Sequence, residues 1–266
     1  MNSALRIIVV AAIACASQAR CEDVSQLQQK EMIAAALQPD GKGAPLLSEK
    51  ETLEVKSSLE GYEKGTRTFE EVTKGEWPKT TINLIKYYQV HSNEVTLKML
   101  LPVSRCYGMA SKGIEAAALA QSYLNVYSND SRGWDVLAAA KLITGSKTEA
   151  LETMKKSVSL GSNKNLSGLG ILAYDAGRKD IIESLVIPRA LAVKKSARDV
   201  TTKQEILRFL VYYSLETKNK RLFVDTLQGM GVAEIAVDEE MKGLVLQGCE
   251  LFKAEETQKL CLELAK

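Results

Sequence analysis

The chain contains a single histidine, His91, and this limits the chemistry that its side chains can perform. A nucleophilic centre of the Ser-His-Asp or Cys-His type would have to use this residue. His91 stands at the end of a predicted helix, before Ser92 and Asn93, where we expect a surface or packing role. A zinc site built on several histidines is excluded.

Adjacent carboxylates are the remaining candidates for acid–base chemistry. The candidate pairs include Glu70-Glu71, Glu239-Glu240 and Glu255-Glu256. Each pair lies near a predicted helix start, where the helix dipole favours negative charge. The phosphate-binding patterns GxxxxGK[ST] and GxGxxG are both absent. We therefore predict no enzyme activity, no metal and no cofactor, and keep a hydrolase with a carboxylate site as the least favoured hypothesis.

The five cysteines are Cys15, Cys21, Cys106, Cys249 and Cys261. They include no CxxC pair, so neither a zinc site nor a redox motif is indicated. Cys106 falls on an apolar helix face and is expected to be a small core residue. Cys249 and Cys261 lie on either side of a break near Lys253. Two antiparallel helices meeting there would let them form a disulfide, and two free buried thiols are the alternative.

The N-terminus has the anatomy of a secretory signal peptide. A weakly positive start precedes the apolar run Ile7 to Ala16, and Ser17 and Ala19 precede a cleavage point at Arg20. This run is shorter than the ~20 residues that span a bilayer, so we expect no membrane span after cleavage. The predicted location is therefore secreted or periplasmic. The alternatives are a short uncleaved anchor, a buried strand, and lipoprotein processing at Cys15.

Composition indicates a globular helical protein that does not bind nucleic acid. The 35 basic and 33 acidic residues give a net charge of +2 and are spread along the chain, without a basic stripe. Hydrophobic residues make up 45% of the chain. Alanine, leucine, lysine and glutamate dominate after residue 80, which favours helix.

Residues 20–78 are more polar and more often broken than the rest, and we interpret them as an N-terminal extension. The predicted elements are a helix at Asp23–Leu37, a linker at 38–45, a helix at Glu49–Glu63 and a short element at Thr68–Thr73. Ser48 and Glu51 form a capping box before the second helix. Trp77 is expected to anchor the extension, with partner recognition as the alternative.

The central stretch, residues 133–160, predicts two antiparallel helices joined by a tight turn. Gly145 ends the first helix, and Ser146 with Glu149 forms a capping box for the second. Apolar residues follow one face of each helix. They are Trp134, Leu137, Ala138 and Leu142 in the first and Ala150, Leu151, Met154 and Val158 in the second.

The same pattern occurs 34 residues earlier. The equivalent positions are Leu100, Val103, Ser104, Ala116 and Ala120. The flanking helices are predicted at Thr81–His91, at Glu94–Ala110 with Asn93 as its cap, and at Ile114–Tyr127. Pro102 either bends the second of these or lies in its first turn.

Towards the C-terminus the pattern decays while helical hairpins continue. The predicted elements are Leu169–Asp175, Asp180–Val186, Lys203–Glu216, Arg221–Gln228, Glu239–Lys253 and Glu255–Ala265. Pro188 disturbs the hairpin that follows the central one. Thr202 with Glu205 predicts another capping box, Lys218-Asn219 a turn, and Asp238 a helix cap.

The 34-residue helix–turn–helix period resembles the tetratricopeptide repeat. The resemblance is best over 131–164 and extends to 97–130, with Lys141 in place of the family's aromatic residue and Ser162 in place of its proline. It implies an all-α fold, a right-handed α-solenoid of stacked antiparallel hairpins over 79–266. Residues 1–19 are the signal peptide and 20–78 the extension.

The resemblance also implies a binding groove lined by the first helix of each repeat. Lys98, Arg105, Arg132 and Asp135 would point into it, beside Leu101, Met109, Ala139 and Ile143. The family's carboxylate clamp would need Lys at position 101 and Asn at position 105, so it is absent. We therefore expect an exported scaffold that binds a protein or peptide, with a structural cell-envelope component, lipid-anchored at Cys15, as the alternative.

Overall fold

The computed structural model describes residues 46–74, 78–196, 200–228, 230, 235 and 239–264. All regular elements in these ranges are helical, as the composition predicts. The predicted signal peptide, the helix at Asp23–Leu37, the linker at 38–45, and the roles given to Cys15, Trp77 and Asp238 all lie outside the described residues.

Contacts divide the described chain into two compact units, an N-terminal unit (46–162) and a C-terminal unit (163–264). The predicted boundary at residue 78 falls inside the N-terminal unit. Phe69 and Val72, from before that boundary, share one hydrophobic core with Leu84 and Leu101 from after it. The N-terminal unit therefore includes the described part of the predicted extension.

The N-terminal unit contains seven α-helices in its described residues. They are α1 (Glu49–Lys64), α2 (Phe69–Lys74), α3 (Lys79–His91), α4 (Leu100–Met109), α5 (Gly113–Leu124), α6 (Ser131–Ile143) and α7 (Lys147–Ser159). A short 3-10 turn, Ser92–Glu94, follows α3. Helices α4 and α5 form one hairpin and α6 and α7 the next, with α5 packed against α6.

The two hairpins bury equivalent positions, which explains the 34-residue period. Leu100, Val103, Ser104, Ala116 and Ala120 are buried in the first hairpin, and Leu137, Ala138, Ala150, Leu151, Met154 and Val158 in the second. Trp134 is half-buried and donates its indole N–H to the carbonyl oxygen of Ser128 at 2.8 Å. Small residues at 104, 116, 120, 138 and 150 allow the close approach that a short turn imposes.

The C-terminal unit continues with helices of more varied length. They are α8 (Leu166–Asp175), α9 (Lys179–Ile181), α10 (Ile187–Ser196), α11 (Val200–Glu216), α12 (Lys220–Leu227), α13 (Glu239–Phe252) and α14 (Gln258–Leu264). A π-helical turn, Ile182–Val186, joins α9 to α10, and a 3-10 turn, Glu255–Thr257, precedes α14. A second core gathers residues of α11 to α14, including Phe223, Val245 and Leu264.

Three predicted helix caps are wrong in the structure, although α7 begins directly after Ser146 as predicted. Ser146 occupies the N-cap position of α7 without a side-chain capping bond, and the Glu149 carboxylate pairs with Lys141. Asn93 caps no helix, since α4 begins only at Leu100. Helix α11 already includes Val200, two residues before the predicted cap at Thr202.

Pro102 and Pro188 both lie in helical segments, and neither interrupts a regular α-helix at its centre. Pro102 is the third residue of α4, so its missing N–H falls among those that a first turn leaves unbonded, and the second of the two predicted alternatives is the one found. Pro188 is the second residue of α10, and only Ile187 separates it from the π-helical turn Ile182–Val186. The wider turn changes the hydrogen-bond register just where the proline ring would meet the preceding carbonyl.

Candidate protein-binding face

The candidate site is one side of the first helices of the two hairpins, which we call the binding face. It is defined by Lys98, Arg105, Met109, Arg132, Ala139 and Ile143. Each position on α4 or just before it has its counterpart on α6 34 residues later. Helices α4 and α6 pack against each other, which makes these positions neighbours within the N-terminal unit.

Lys98 binds the end of α1 through its backbone and through an aromatic ring. Its Nζ donates a hydrogen bond to the carbonyl oxygen of Glu63 at 2.6 Å, and it lies 5.9 Å from the centroid of the Tyr62 ring. The last turn of a helix leaves carbonyl oxygens unbonded, and a cation satisfies one of them there. The side chain is therefore engaged with the chain's own N-terminal helices.

Arg105 contacts an aromatic ring of α2. Its guanidinium carbon lies 5.1 Å from the centroid of the Phe69 ring, a cation–π arrangement. Phe69 is 2% exposed and Val72 1%. Leu101, expected to line the groove, is fully buried in the core that these residues share. The N-terminal helices thus cover the α4 half of the binding face.

A local capping box explains why α2 forms at this place. The backbone N–H of Thr68 donates to Glu71 Oε2 at 2.6 Å, and the N–H of Glu71 donates to Thr68 Oγ1 at 3.2 Å. This T-x-x-E spacing around Phe69 is the sequence signal for the covering segment. It predicts a short element here and does not indicate the contact with Arg105.

Arg132 lies on the α6 half of the face and is held by Asp130. Its Nε and Nη2 donate to Asp130 Oδ1 at 3.0 Å and Oδ2 at 2.7 Å, while the Tyr123 hydroxyl donates to Oδ2 at 2.6 Å. Burial acts to raise the pKa of Asp130, and the bonds from Arg132 and Tyr123 outweigh it, so the carboxyl pKa lies below its ordinary range. The Arg132 side chain remains 44% exposed.

Asp135 is committed to the α6–α7 hairpin. Its carboxylate accepts hydrogen bonds from the hydroxyl of Ser157 and from that of Ser162, the latter at 2.8 Å. These bonds tie α6 to the end of α7 and to Ser162. The structure therefore places Asp135 in hairpin packing, apart from the six residues that define the binding face.

The α6 half of the face leaves apolar surface open to solvent. Ala139, the counterpart of Arg105, is exposed, and Ile143, the counterpart of Met109, is 43% exposed. Met109 itself is half-buried and accepts a weak hydrogen bond from the Thr81 hydroxyl at 3.9 Å. The face thus has a covered half on α4 and an accessible half on α6.

The residues considered for catalysis are placed apart from this face. His91 ends α3, stacks on Tyr87 with 4.8 Å between ring centroids, and has its Nδ1 3.1 Å from Glu94 Oε1. Burial raises the pKa of the Cys106 thiol to about 12, and this thiol lies in the core as predicted. Across the described ranges, no group of three or more His, Cys, Asp or Glu side chains is placed to hold a metal ion.

Cys249 and Cys261 form a disulfide in the structure. Their sulfur atoms are 2.05 Å apart and their Cα atoms 5.9 Å apart. Of the two alternatives for these thiols, the structure has the bridge, which joins α13 to α14. Within the parts of the chain that the structure describes, no helix is long and apolar enough to cross a membrane.

Comparison with protein-family models, with curated proteins and with solved structures finds no match to this chain.

Proposed function

We propose that this protein is an exported helical-repeat scaffold that binds a protein or peptide through the binding face. Its hairpins would stack as a right-handed, tetratricopeptide-like solenoid. One observation carries the proposal: the face already holds a polypeptide segment, the chain's own residues 62–72. Lys98 binds a backbone carbonyl of that segment and Arg105 lies over one of its aromatic rings.

The two contacts represent general ways of binding polypeptide. A lysine on a carbonyl oxygen is indifferent to side-chain identity, whereas an arginine over a ring selects aromatic residues. The accessible half adds a charged group, Arg132, and two apolar positions, Ala139 and Ile143. A partner segment would bury these apolar groups while Arg132 contacts it at the edge.

The compartment is proposed on two grounds. The first 19 residues have the pattern of a signal peptide. A disulfide such as Cys249–Cys261 persists in oxidising compartments and is rare in the cytosol. Together they support a secreted or periplasmic protein, with its partner in the same compartment.

A matched pair of alanine substitutions tests the proposal. Ala139 is exposed on α6 within the binding face, and Ala118 is exposed on α5 outside it. The full chain, Ala139→Glu and Ala118→Glu would each be used to capture partners from the native secreted or envelope fraction. The captured protein would then be purified and titrated against all three by calorimetry.

We expect Ala139→Glu to weaken binding at least about tenfold, because a carboxylate is placed in a desolvated contact. Ala118→Glu should bind like the natural chain. Equal loss with both substitutions, or no loss with either, would rule out the binding face as the site.

A further inference from the structure

We infer that the α4 half of the binding face is a site for a short amphipathic helix of a partner, and that α2 occupies this site in cis as a competitor. The inference rests on the proposed function and deepens it, because it names the chemistry of the ligand. That ligand carries an aromatic anchor, an aliphatic anchor three residues later, and acidic residues.

Helix α2 has the properties of a ligand rather than of a framework helix. It is six residues long and attaches to the core mainly through Phe69 and Val72, one turn apart. Its start is stabilised by its own Thr68–Glu71 capping box. Gly65 separates it from α1 with a φ of +77°, and a side chain there would meet nothing within 4 Å. The attachment of α2 to α4 therefore depends mainly on its two apolar anchors.

The contacts that Lys98 and Arg105 make with the N-terminal helices are to neutral groups. Arg105 meets the ring of Phe69 and Lys98 meets a carbonyl oxygen. A ligand with an aromatic anchor and a nearby carboxylate would keep both contacts and add an ion pair, so it would compete favourably with α2.

Covalent attachment gives α2 a large advantage over a free peptide of the same sequence. A tethered segment acts at an effective concentration of about millimolar for a short linker. A ligand in trans sees only the small fraction of molecules whose site is vacant, and its apparent affinity falls by that fraction. Weakening α2 should therefore raise the affinity of the site for a free peptide.

The chain's own segment is the probe that tests this inference. A fluorescein-labelled synthetic peptide of residues 62–74 (YEKGTRTFEEVTK) is titrated with the full-length chain by fluorescence anisotropy. In Glu71→Ala the cap of α2 is removed without touching the core, and in Phe69→Ala plus Val72→Ala both anchors are removed. Glu51→Ala removes the equivalent cap of α1 and serves as the matched control.

We expect the peptide to bind the two α2 variants at least about tenfold more tightly than the natural chain or Glu51→Ala. Adding Arg105→Ala, or replacing Phe69 by Ala in the peptide, should abolish that gain. Circular dichroism checks that each variant is folded. If folded α2 variants bind no better than the natural chain, or bind equally well without Arg105, the inference is wrong.

A second copy of the chain could supply α2 in place of a partner. Light scattering decides this: a natural chain that is dimeric, with a monomeric Phe69→Ala variant, would overturn the inference in favour of exchange between copies. Failure of the peptide to bind while Ala139→Glu still weakens partner capture would refute this inference alone. Peptide binding without any Ala139-dependent partner would refute the proposed function instead.

Discussion

At the scale of single residues, the Asp130 carboxylate makes three different contacts in the loop between α5 and α6. Its carboxylate caps α6 by accepting from the N–H of Arg132, holds the Arg132 guanidinium, and accepts from the Tyr123 hydroxyl. The pKa of Asp130 lies below its ordinary range because these bonds outweigh burial. The charge of Asp130 thus positions the one exposed cation of the binding face and tightens the α5–α6 turn.

Asp130→Asn tests how much this charge contributes. Asparagine is an equally good helix cap, so the substitution removes mainly the charge. We expect the free energy of unfolding to fall by about 1–2 kcal/mol at pH 7. Urea unfolding of the natural chain and the variant at several pH values measures it.

The pH dependence of this stability difference follows from the direction in which the pKa of Asp130 is shifted. A carboxyl whose folded-state pKa is depressed stabilises the protein fully above its unfolded-state value, ordinarily 3.8, and loses that contribution as pH falls through the lower folded-state value. The difference between the two proteins should therefore shrink below pH 3.8. Asp180→Asn is the control. Arg178 donates to both oxygens of Asp180 as Arg132 does to Asp130, but Asp180 is exposed. An equal effect there would show that burial of Asp130 is irrelevant.

At the scale of helices, local signals predict most elements, and a local signal fails where a residue of another helix binds the same side chain. The Ser48–Glu51 capping box forms as predicted, with Ser48 N–H donating to Glu51 Oε2 at 3.1 Å. The same spacing at Ser146 and Glu149 forms no capping box, and the Glu149 carboxylate pairs instead with Lys141 on the preceding helix. A spacing rule sees one chain segment, whereas the carboxylate binds whichever donor the hairpin brings closest.

Two glycines of α13 should respond oppositely to alanine. A Cβ at Gly248 would overlap the ring of Phe223, a fully buried residue of α12, whereas a Cβ at Gly243 meets nothing within 4 Å. We expect Gly248→Ala to destabilise the C-terminal unit by about 1–3 kcal/mol through overpacking. Gly243→Ala should stabilise it by roughly 0.5–1 kcal/mol, because alanine loses less backbone entropy in a helix.

Thermal and urea unfolding of the two variants provide the comparison. The pair shares helix, residue type and substitution, so intrinsic helix propensity predicts the same gain for both. Two gains of equal size would show that α12 does not pack on Gly248 as closely as the structure has it.

At the scale of the whole molecule, the sequence predicts the all-helical fold that the described residues have, and the binding face on α4 and α6 stays a prediction. The sequence did not predict that Lys98 and Arg105 already bind residues 62–69. Helical periodicity and repeat spacing describe contacts within a hairpin, and Lys98 meets Glu63 from 35 positions away along the chain. Such pairing depends on how α1 and α2 return to the core, which no local pattern encodes.

The disulfide ties the last helix of the described chain to the C-terminal unit. Helix α14 has seven residues, fewer than the ~12–15 needed for a helix to persist alone, and only Leu264 is fully buried. Cys249 and Cys261 close a loop with a sequence separation of 12. A bridge over such a loop stabilises a protein by about 2–3 kcal/mol, in large part by restricting the unfolded chain.

Mild reduction should therefore speed hydrogen exchange first in α14, then in α13 and the residues of α12 packed beside it. The N-terminal unit should keep its exchange rates, because the bridge lies wholly in the other unit.

Alkylation of the reduced native protein should label Cys249 and Cys261 and spare Cys106. Burial of the Cys106 thiol raises its pKa to about 12. Cys249→Ser plus Cys261→Ser should already exchange fast and show no response to reductant. If reduction instead speeds exchange in α4 to α7 as much as in α14, stability would be shared across the whole chain and the two units would unfold as one.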